Sequence, residues 1–163
     1  MAPQTLILDT GPLWELVLYS AVHDLGYASL DPDLKYLRSR ERYDRLTAFI
    51  AQFGNRVTTP HVVAEISAWT IRKIQFGRDR FWKVIYSEFR RMGMDENTLT
   101  LLSMPEDLVI SLGAVDVSVV KVASALGPGN STVLSIDGSL ISECKRARLP
   151  TQHLLEIIEA EVV

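Results

Sequence analysis

The segment LILDTGPL, residues 6–13, decides the expected fold. A short apolar run ends in Asp9, is followed by Thr10, Gly11 and Pro12, and leads into the apolar spacing of a helix. This order predicts a buried strand, a tight turn and a helix. Short apolar runs alternate with helical patterns along the rest of the chain. Because strands that are apolar throughout favour a parallel sheet covered on both faces, we expect one three-layer α/β domain.

Caps, helix breakers and periodicity predict the other elements. A long, highly charged helix is expected from Asp31 to about Phe53, inside a charged helical segment at about 23–53. The strands expected after the first are Arg56–Thr59, Leu99–Leu102, Thr132–Ile136 and an edge strand at Leu149–Thr151. The other expected helices begin at Thr59-Pro60, span Arg78–Met92, begin again at Pro105, span Ala114–Leu126 and Leu140–Ala147, and include a short acidic helix that closes the chain.

Length and composition fit a single domain over residues 1–163, with 47% apolar and 23% charged residues. The single cysteine, Cys144, excludes an internal disulfide framework and a zinc site built on cysteine clusters. No basic residue precedes the first apolar run, so a secretory signal is not expected. The longest apolar stretch, Leu108–Leu126, is interrupted by Asp116 and Lys121 and does not predict a membrane span. We therefore expect a cytoplasmic protein with no membrane partner.

Charge is segregated along the chain. Between Lys35 and Arg91, thirteen Lys or Arg and five Asp or Glu give a net charge of +8, whereas the rest carries −11 and the whole chain −3. Ten aromatic residues are interleaved with these cations. Because charges act locally, within a Debye length of about 10 Å, such a segment suits a nucleic acid despite the negative total. Solvated helices with aromatic side chains turned inward explain the same pattern.

Two aspartates, Asp9 and Asp137, directly follow predicted strands. Ligands of open parallel sheets bind outside the carboxyl ends of the strands, which makes both residues candidates for catalysis. A carboxylate at this position also caps the helix that follows it. For each aspartate taken alone, capping and catalysis explain the position equally well.

Two further acids lie among apolar residues of predicted helices. Glu65 borders Val62 and Trp69, which places it at the inner face of its helix. Asp116 lies in an apolar neighbourhood that begins after Gly113. An unpaired carboxylate that faces a core is costly, so such a group is normally paired, protonated or bound to a metal. The structural alternatives are a helix cap for Asp116 and a buried salt bridge to an arginine for Glu65.

Together these four acids form a candidate cluster of oxygen ligands without histidine or cysteine. Hard cations such as Mg²⁺ and Mn²⁺ prefer this donor set. Two such ions, about 3.5–4 Å apart, can stabilise both the attacking and the leaving oxygen of a displacement at phosphorus. The cluster therefore fits phosphodiester hydrolysis better than acyl or glycosyl transfer, although carboxylates alone also allow glycosyl transfer.

The same residues carry a family resemblance that covers almost the whole chain. The matching segments, in order, are LILDTGPL at 6–13, TPHVVAEI at 59–66, Asp116 with the helix that follows it, and LSIDGSL at 134–140. In this arrangement the chain resembles the PIN-domain family of metal-dependent ribonucleases, which includes the toxins of many prokaryotic toxin–antitoxin pairs.

The resemblance implies a three-layer α/β/α domain with a central parallel sheet of about five strands. It also implies that Asp9, Glu65, Asp116 and Asp137 converge as catalytic residues and metal ligands for Mg²⁺ or Mn²⁺, with Thr10 as a supporting hydroxyl. Family members of this type cleave RNA through metal-activated water and leave a 5′-phosphate. Many are homodimers, and toxin members are inhibited by an antitoxin protein whose tail enters the active-site groove.

Two alternatives compete with an RNA-cleaving enzyme. A haloacid-dehalogenase-like phosphatase also begins with an apolar strand that ends in aspartate, but its chemistry needs a second aspartate two residues later, where this chain has Gly11. A PIN-like scaffold that binds RNA or a protein without cutting is disfavoured by the four acids, because a negative cluster opposes the binding of an anion. The scaffold alternative stays open, since the presence of these acids does not establish turnover.

Overall fold

A five-stranded parallel sheet forms the centre of the molecule, in the strand order β3-β2-β1-β4-β5. The computed structural model describes residues 4–75, 77–96 and 106–160. The strands are β1 Thr5–Leu8, β2 Asn55–Thr58, β3 Met94–Glu96, β4 Ser131–Ser135 and β5 Thr151–His153. Every neighbouring pair is parallel, with Ile7 opposite both Val57 and Val133. The predicted three-layer α/β/α class with about five parallel strands is therefore confirmed.

Helices flank the sheet, and several of them begin where the sequence predicts. They are α1 Thr10–Leu25, α2 Arg40–Ala51, α3 Pro60–Lys73, α4 Arg78–Met92, α5 Glu106–Leu112, α6 Ala114–Leu126, α7 Gly138–Arg146 and α8 Leu154–Ile158. The Thr59 side chain caps α3 by accepting from the Val62 N–H, and Pro60 takes the first helical position, where no backbone N–H is needed. None of the helices in the described part of the chain has the length and apolar character needed to span a bilayer.

The core lies on both faces of the sheet. The three apolar residues of β1, Leu6, Ile7 and Leu8, are fully buried, and so are Val133 and Leu134 of β4. Burying one such side chain stabilises the fold by about 1.5–3 kcal/mol. The central strands are therefore rigid supports for the residues that follow them.

The order of the strands creates a crevice at the centre of the sheet. From β1 the chain moves outward through β2 and β3, and it then returns to the other side of β1 to form β4 and β5. The carboxyl ends of β1 and β4 thus lie side by side at the point where the direction of winding changes, which is the usual ligand position in open α/β sheets. Asp9 and Asp137 follow these two strands.

The helix predicted from Asp31 to Phe53 is confirmed only over Arg40–Ala51, and its first part is wrong. A 3-10 helix covers Ala28–Asp33, residues 34–39 are not helical, and α2 begins at Arg40 after the side chain of Ser39 caps it. The physical reason is Glu15 of α1, whose carboxylate accepts hydrogen bonds from three successive backbone N–H groups, those of residues 35, 36 and 37. A continuous helix would use those N–H groups internally.

Other element boundaries also differ from the prediction. No separate turn follows Asp9, because its side chain caps α1 directly and the helix begins at Thr10. The third strand in chain order is Met94–Glu96, which the sequence did not predict. The predicted strand Leu99–Leu102 lies outside the described residues. The edge strand β5 begins at Thr151, the last residue of the predicted edge strand. The physical reason is that its ladder with β4 pairs Thr151 with Val133.

Candidate functional site

The four predicted acids line one cleft of about 520 Å³ at the crevice beside β1 and β4. Each comes from a different part of the fold: Asp9 follows β1, Glu65 lies on α3, Asp116 on the first turn of α6, and Asp137 follows β4. Thr10, the predicted supporting hydroxyl, lines the same cleft. We call this surface the acidic cleft. The structure therefore brings together all the residues that the sequence singled out.

Asp9 is the most buried of the four acids of the acidic cleft, with only 4% of its surface exposed. One carboxylate oxygen, Oδ1, accepts from the Thr10 N–H at 2.7 Å, and the other, Oδ2, accepts from the Ser135 hydroxyl at 2.6 Å. The pKa of Asp9 is raised to about 6, because burial outweighs the two hydrogen bonds that lower it and the charges of Glu65 and Asp137 add to the rise. Asp9 caps α1, but the capping hydrogen bond does not cancel the negative charge of its carboxylate.

Ser135 is a site residue that the sequence analysis missed. Its hydroxyl donates to Asp9 and accepts from the Asp137 N–H at 2.9 Å, so it joins the two strand-end aspartates. The side chain is completely buried at the end of β4. A serine two residues before Asp137 in a strand carries no signal of this role until the register with β1 is known. The register supplies it, because Leu8 pairs with Leu134 and brings the following residues side by side.

Asp137 combines a capping role with an exposed position. Its Oδ1 accepts from the backbone N–H groups of Ser139 and Leu140 at 2.6 and 3.2 Å, which caps α7. The residue is exposed at the mouth of the acidic cleft. For both strand-end aspartates, capping and a place in the cleft therefore coexist, and the two explanations offered by the sequence are not exclusive.

Glu65 is oriented by Thr10 rather than by an arginine. The Thr10 hydroxyl donates to Glu65 Oε2 at 2.6 Å, which ties α3 to the start of α1. The glutamate is half-buried, as its position between Val62 and Trp69 predicts. Within residues 4–75, 77–96 and 106–160 no ion pair includes Glu65, so the alternative of a buried salt bridge is wrong for this part of the chain.

Asp116 is half-buried and faces the cleft instead of capping its helix. The cap position of α6 is Gly113, and no side chain caps this helix. Among the described residues, none donates a hydrogen bond to the Asp116 carboxylate. Burial, together with the charges of Asp9, Asp137 and Glu65, raises the pKa of Asp116 to about 7. The alternative of a helix cap is therefore wrong.

A pair of buried hydroxyls fixes α3 against α6. Thr59 Oγ1 and Ser118 Oγ lie 2.7 Å apart, and both side chains are fully buried. Ser118 also donates to the Val115 carbonyl at 2.6 Å, so Thr59 is the donor within the pair. Ser118 lies two residues after Asp116 on α6, so this contact holds together the helices that carry Glu65 and Asp116.

The negative charge of the acidic cleft has no cationic partner in the described part of the chain. No Lys or Arg there forms an ion pair with any of the four carboxylates. In the same ranges, no group of three or more Asp, Glu, His or Cys is arranged so that it could hold a metal ion as it stands. The carboxylates therefore share a cleft and repel one another, without forming a closed coordination shell.

The basic segment from Lys35 to Arg91 is mostly committed to contacts within the protein. Among the described residues, five of its cations form ion pairs, and others donate to backbone carbonyls at helix ends. The ion pairs are Arg40–Asp44, Arg42–Glu159, Arg45–Glu41, Lys73–Asp33 and Arg91–Glu88. The donors to carbonyls include Arg56 and Arg78. Charge counting along the chain thus overstates the cations that remain for a polyanion.

Comparison with known proteins adds no further assignment to this geometry. Neither a protein-family model nor a curated protein matches the chain. The PIN-like resemblance therefore rests on the residues quoted above and stays a prediction.

Proposed function

We propose that this protein is a Mg²⁺- or Mn²⁺-dependent endoribonuclease of PIN type that hydrolyses RNA phosphodiester bonds. The observation that carries the proposal is the convergence of Asp9, Glu65, Asp116 and Asp137 in one cleft at the centre of the sheet. Buried carboxylates that repel one another are costly to a fold, and a divalent cation is the ligand that removes this cost. Strongly raised carboxyl pKa values in a cleft are typical of functional sites.

The donor chemistry of the acidic cleft fits such a cation. Mg²⁺ usually takes one or two protein carboxylates and keeps several waters, so it does not need a closed group of three acids. We assign Asp9, Asp116 and Asp137 as the carboxylates that hold it, with Glu65 completing the site. When bound, the cation supplies charge stabilisation at the phosphate oxygens and makes a water more acidic.

The residues of the chain have separate tasks in this proposal. Ser135 and the Thr10 N–H fix both oxygens of Asp9, so that its position does not change when the charge around it changes. The Thr10 hydroxyl holds Glu65 Oε2 and thereby orients the glutamate toward the attacking water. Asp116, with a pKa of about 7, must release its proton before it binds a cation, so cation affinity rises with pH up to that value.

The family resemblance also supports a proposal about the biological role, that of a toxin. A toxin role would bring a homodimer in the cytoplasm and an antitoxin protein that occupies the cleft. A short reading frame that overlaps the upstream end of the gene and encodes a DNA-binding pattern would support this role. Without such a neighbour, a role in RNA processing is favoured.

The decisive experiment measures cleavage of a panel of RNAs with Mn²⁺, with Mg²⁺ and with chelator. We expect cleavage only with a cation, with products that carry a 5′-phosphate. Asp116→Asn and Asp9→Asn should each lower the rate by about a hundredfold or more, since even residues that only support metal ligands contribute 10- to 100-fold. Asp79→Asn, an exposed aspartate of α4, is the matched control and should cut like the parent. Equal rates for the parent and Asp116→Asn would refute the assignment.

A second candidate is a PIN-like scaffold that binds RNA or a protein without cutting. It is favoured by the finding that no closed group of three metal-binding side chains exists among the described residues. RNA binding that persists in chelator, together with no cleavage in any cation tested, would select this scaffold over the nuclease.

A further inference from the structure

A relay of hydroxyl groups joins the start of α3 to the first turn of α6. The Thr59 hydroxyl accepts from the Val62 N–H at 3.3 Å and donates to Ser118 Oγ, which lies 2.7 Å away. Ser118 donates in turn to the Val115 carbonyl at 2.6 Å. Each hydroxyl therefore both accepts and donates, and the direction of every hydrogen bond in the relay is fixed.

The two side chains of this relay have no access to water. Thr59 and Ser118 are both fully buried. A buried hydroxyl that loses its partner is left unsatisfied, so movement of one helix against the other is costly if it breaks the relay. Among the described residues, no other hydrogen bond between side chains joins these two helices. The relay is therefore the directional part of their contact, since apolar packing has no preferred direction.

The helices that the relay joins each carry one acid of the acidic cleft. Glu65 lies on α3, three residues after Val62, and Asp116 lies between Val115 and Ser118 on α6. Both carboxylates are half-buried, and their negative charges repel each other. Because this repulsion favours a wider separation of α3 and α6, the relay opposes it. A hydrogen bond between uncharged side chains therefore holds the two acids in place.

Acids that are held in place favour some cations over others. Mg²⁺ and Mn²⁺ prefer octahedral coordination by oxygen, and Mg²⁺ keeps several waters when one or two carboxylates bind it. Ca²⁺ takes about six to eight oxygen ligands in a flexible geometry, so it gains from carboxylates that can move toward it. Within the described ranges the acids do not form a closed group of three, which suits a cation that keeps its waters. A rigid cleft of this kind therefore favours the smaller cations and disfavours Ca²⁺.

We infer that the Thr59–Ser118 pair makes the acidic cleft selective for Mn²⁺ and Mg²⁺ over Ca²⁺, because it holds α3 and α6 at a fixed separation. This inference rests on the proposed function, since it assigns a selectivity to the cation site of the same cleft. Neither residue lines the cleft, so both are positioning residues. Loss of the pair should change the relative affinity for two cations and not only the stability of the fold.

The test measures the affinity for two cations in one titration at pH 8. The electron paramagnetic resonance signal of free Mn²⁺ gives the Kd for Mn²⁺, and Ca²⁺ added to the Mn²⁺-loaded protein gives the Kd for Ca²⁺ by displacement. We expect Ser118→Ala to weaken Mn²⁺ binding about tenfold, as is typical when a group that orients metal ligands is removed. The Kd for Ca²⁺ should change less than about twofold, because Ca²⁺ tolerates flexible ligands. The preference for Mn²⁺ over Ca²⁺ should therefore fall.

Two variants of Thr59 separate the hydrogen bond from the shape of the side chain. Thr59→Val keeps the shape and removes the hydroxyl, so it should lower the preference for Mn²⁺ as Ser118→Ala does. Thr59→Ser keeps the hydroxyl and should retain the preference of the parent. The matched controls are Thr70→Val and Ser124→Ala, whose hydroxyls donate to carbonyls of their own helices, α3 and α6. Both controls should keep the parent's ratio of the two Kd values.

An unchanged ratio of Kd values in Ser118→Ala and Thr59→Val overturns the inference. This includes the case in which both Kd values rise by the same factor, which is the result expected of a purely structural role. An equal change of the ratio in the two controls also overturns it, and so does a parent that binds Ca²⁺ as tightly as Mn²⁺.

The outcome is separable from that of the proposed function. The expected change of the ratio, with no cleavage of RNA in any cation, would refute the nuclease and leave the selectivity standing. Metal-dependent cleavage together with an unchanged ratio would refute the selectivity and leave the nuclease standing. A parent that binds no Mn²⁺ would refute both.

Discussion

Two adjoining clefts each contain a carboxylate with reduced access to water, the half-buried Asp116 in the acidic cleft and the buried Glu15 in a second cleft of about 400 Å³. We call the second cleft the basic-aromatic cleft, after Lys35, Tyr36, Trp69 and Arg72, which line it. The two clefts satisfy their carboxylates in opposite ways. In the basic-aromatic cleft Glu15 accepts three backbone hydrogen bonds, and its charge is balanced by aligned N–H dipoles. In the acidic cleft Asp116 has no hydrogen-bond donor among the described residues and faces three other acids, and its pKa rises to about 7. Burial alone therefore does not determine whether a carboxylate is satisfied by groups of the protein.

The two carboxylates differ in the groups that balance their charge. Backbone N–H groups of the protein satisfy the carboxylate of Glu15, so Glu15 contributes to the conformation of the segment after the 3-10 helix. The carboxylate of Asp116 has no such partner among the described residues, and a cation from solution would balance its charge. Three predictions turn this contrast into measurements of stability.

The largest effect should come from adding a divalent cation. Because the cation binds the folded acidic cleft and not the unfolded chain, Mn²⁺ at a hundred times its Kd should stabilise the protein by about 3 kcal/mol. For a chain of this size that corresponds to a rise in Tm of about 5–10 °C. Thermal unfolding with and without Mn²⁺, followed by chelator, measures this shift.

Two variants serve as controls for that shift. Asp116→Asn should lose most of it, while Glu15→Gln should keep it, because Glu15 lies in the other cleft. An equal Mn²⁺ shift in the parent and in Asp116→Asn would show that the cation binds elsewhere.

The acidic cleft could be predicted from the sequence because its residues are marked by local signals. Asp9 and Asp137 each follow a strand, and Glu65 and Asp116 each interrupt an apolar helix pattern. In a parallel sheet, strand ends meet at one edge, so these local signals are enough to expect proximity. Ser135 was missed because its role depends on the register between β1 and β4, which no single segment contains.

The basic-aromatic cleft could not be predicted in the same way. Its residues come from α1, from the segment after the 3-10 helix and from α3, and no motif relates them. The key residue, Glu15, lies in an apolar helix and acts on backbone N–H groups some twenty positions away. Backbone groups have no identity in a sequence, so periodicity favoured one continuous helix from Asp31 to Phe53, whereas the Glu15 carboxylate holds residues 35–37 in a non-helical path.

The next effect in size should be a loss of stability in Glu15→Gln. An amide keeps one acceptor oxygen but presents N–H groups to the backbone N–H donors at the other position, which leaves buried donors without a partner. We expect the free energy of unfolding to fall by about 2 kcal/mol. Urea unfolding measures this change, with Glu41→Gln as a control, since Glu41 forms only a surface pair with Arg45.

Glu15 has a positioning role in the fold, because its carboxylate holds the backbone of Lys35 and Tyr36. Glu15→Gln would contradict this positioning role if it unfolded at the same urea concentration as the parent.

The smallest expected change in the free energy of unfolding is a gain, and it occurs in Asp116→Asn in the absence of cations. The pKa of Asp116 rises from 3.8 in the unfolded chain to about 7 in the fold, so the folded state binds the proton more tightly. The stability of the parent is therefore greatest below about pH 4 with respect to this group and falls as the pH rises toward 7. Asn carries no charge, so the variant should be more stable than the parent at pH 8 and equal to it near pH 4. Because Asp116 is half-buried and partly screened by solvent, we expect a difference of about 1 kcal/mol at pH 8.

Urea unfolding in chelator at both pH values tests this, and Asp79→Asn should show no such dependence on pH. In Asp116→Asn the slope of the free energy of unfolding against pH should be reduced rather than abolished, since Asp9, with a pKa of about 6, titrates in the same direction. A variant less stable than the parent at pH 8 would mean that the Asp116 carboxylate is satisfied within the protein, as Glu15 is, and the contrast between the two clefts would fail. A gain in stability on removal of an acid, paired with the loss of cleavage, is the expected signature of a group kept for function at the expense of the fold.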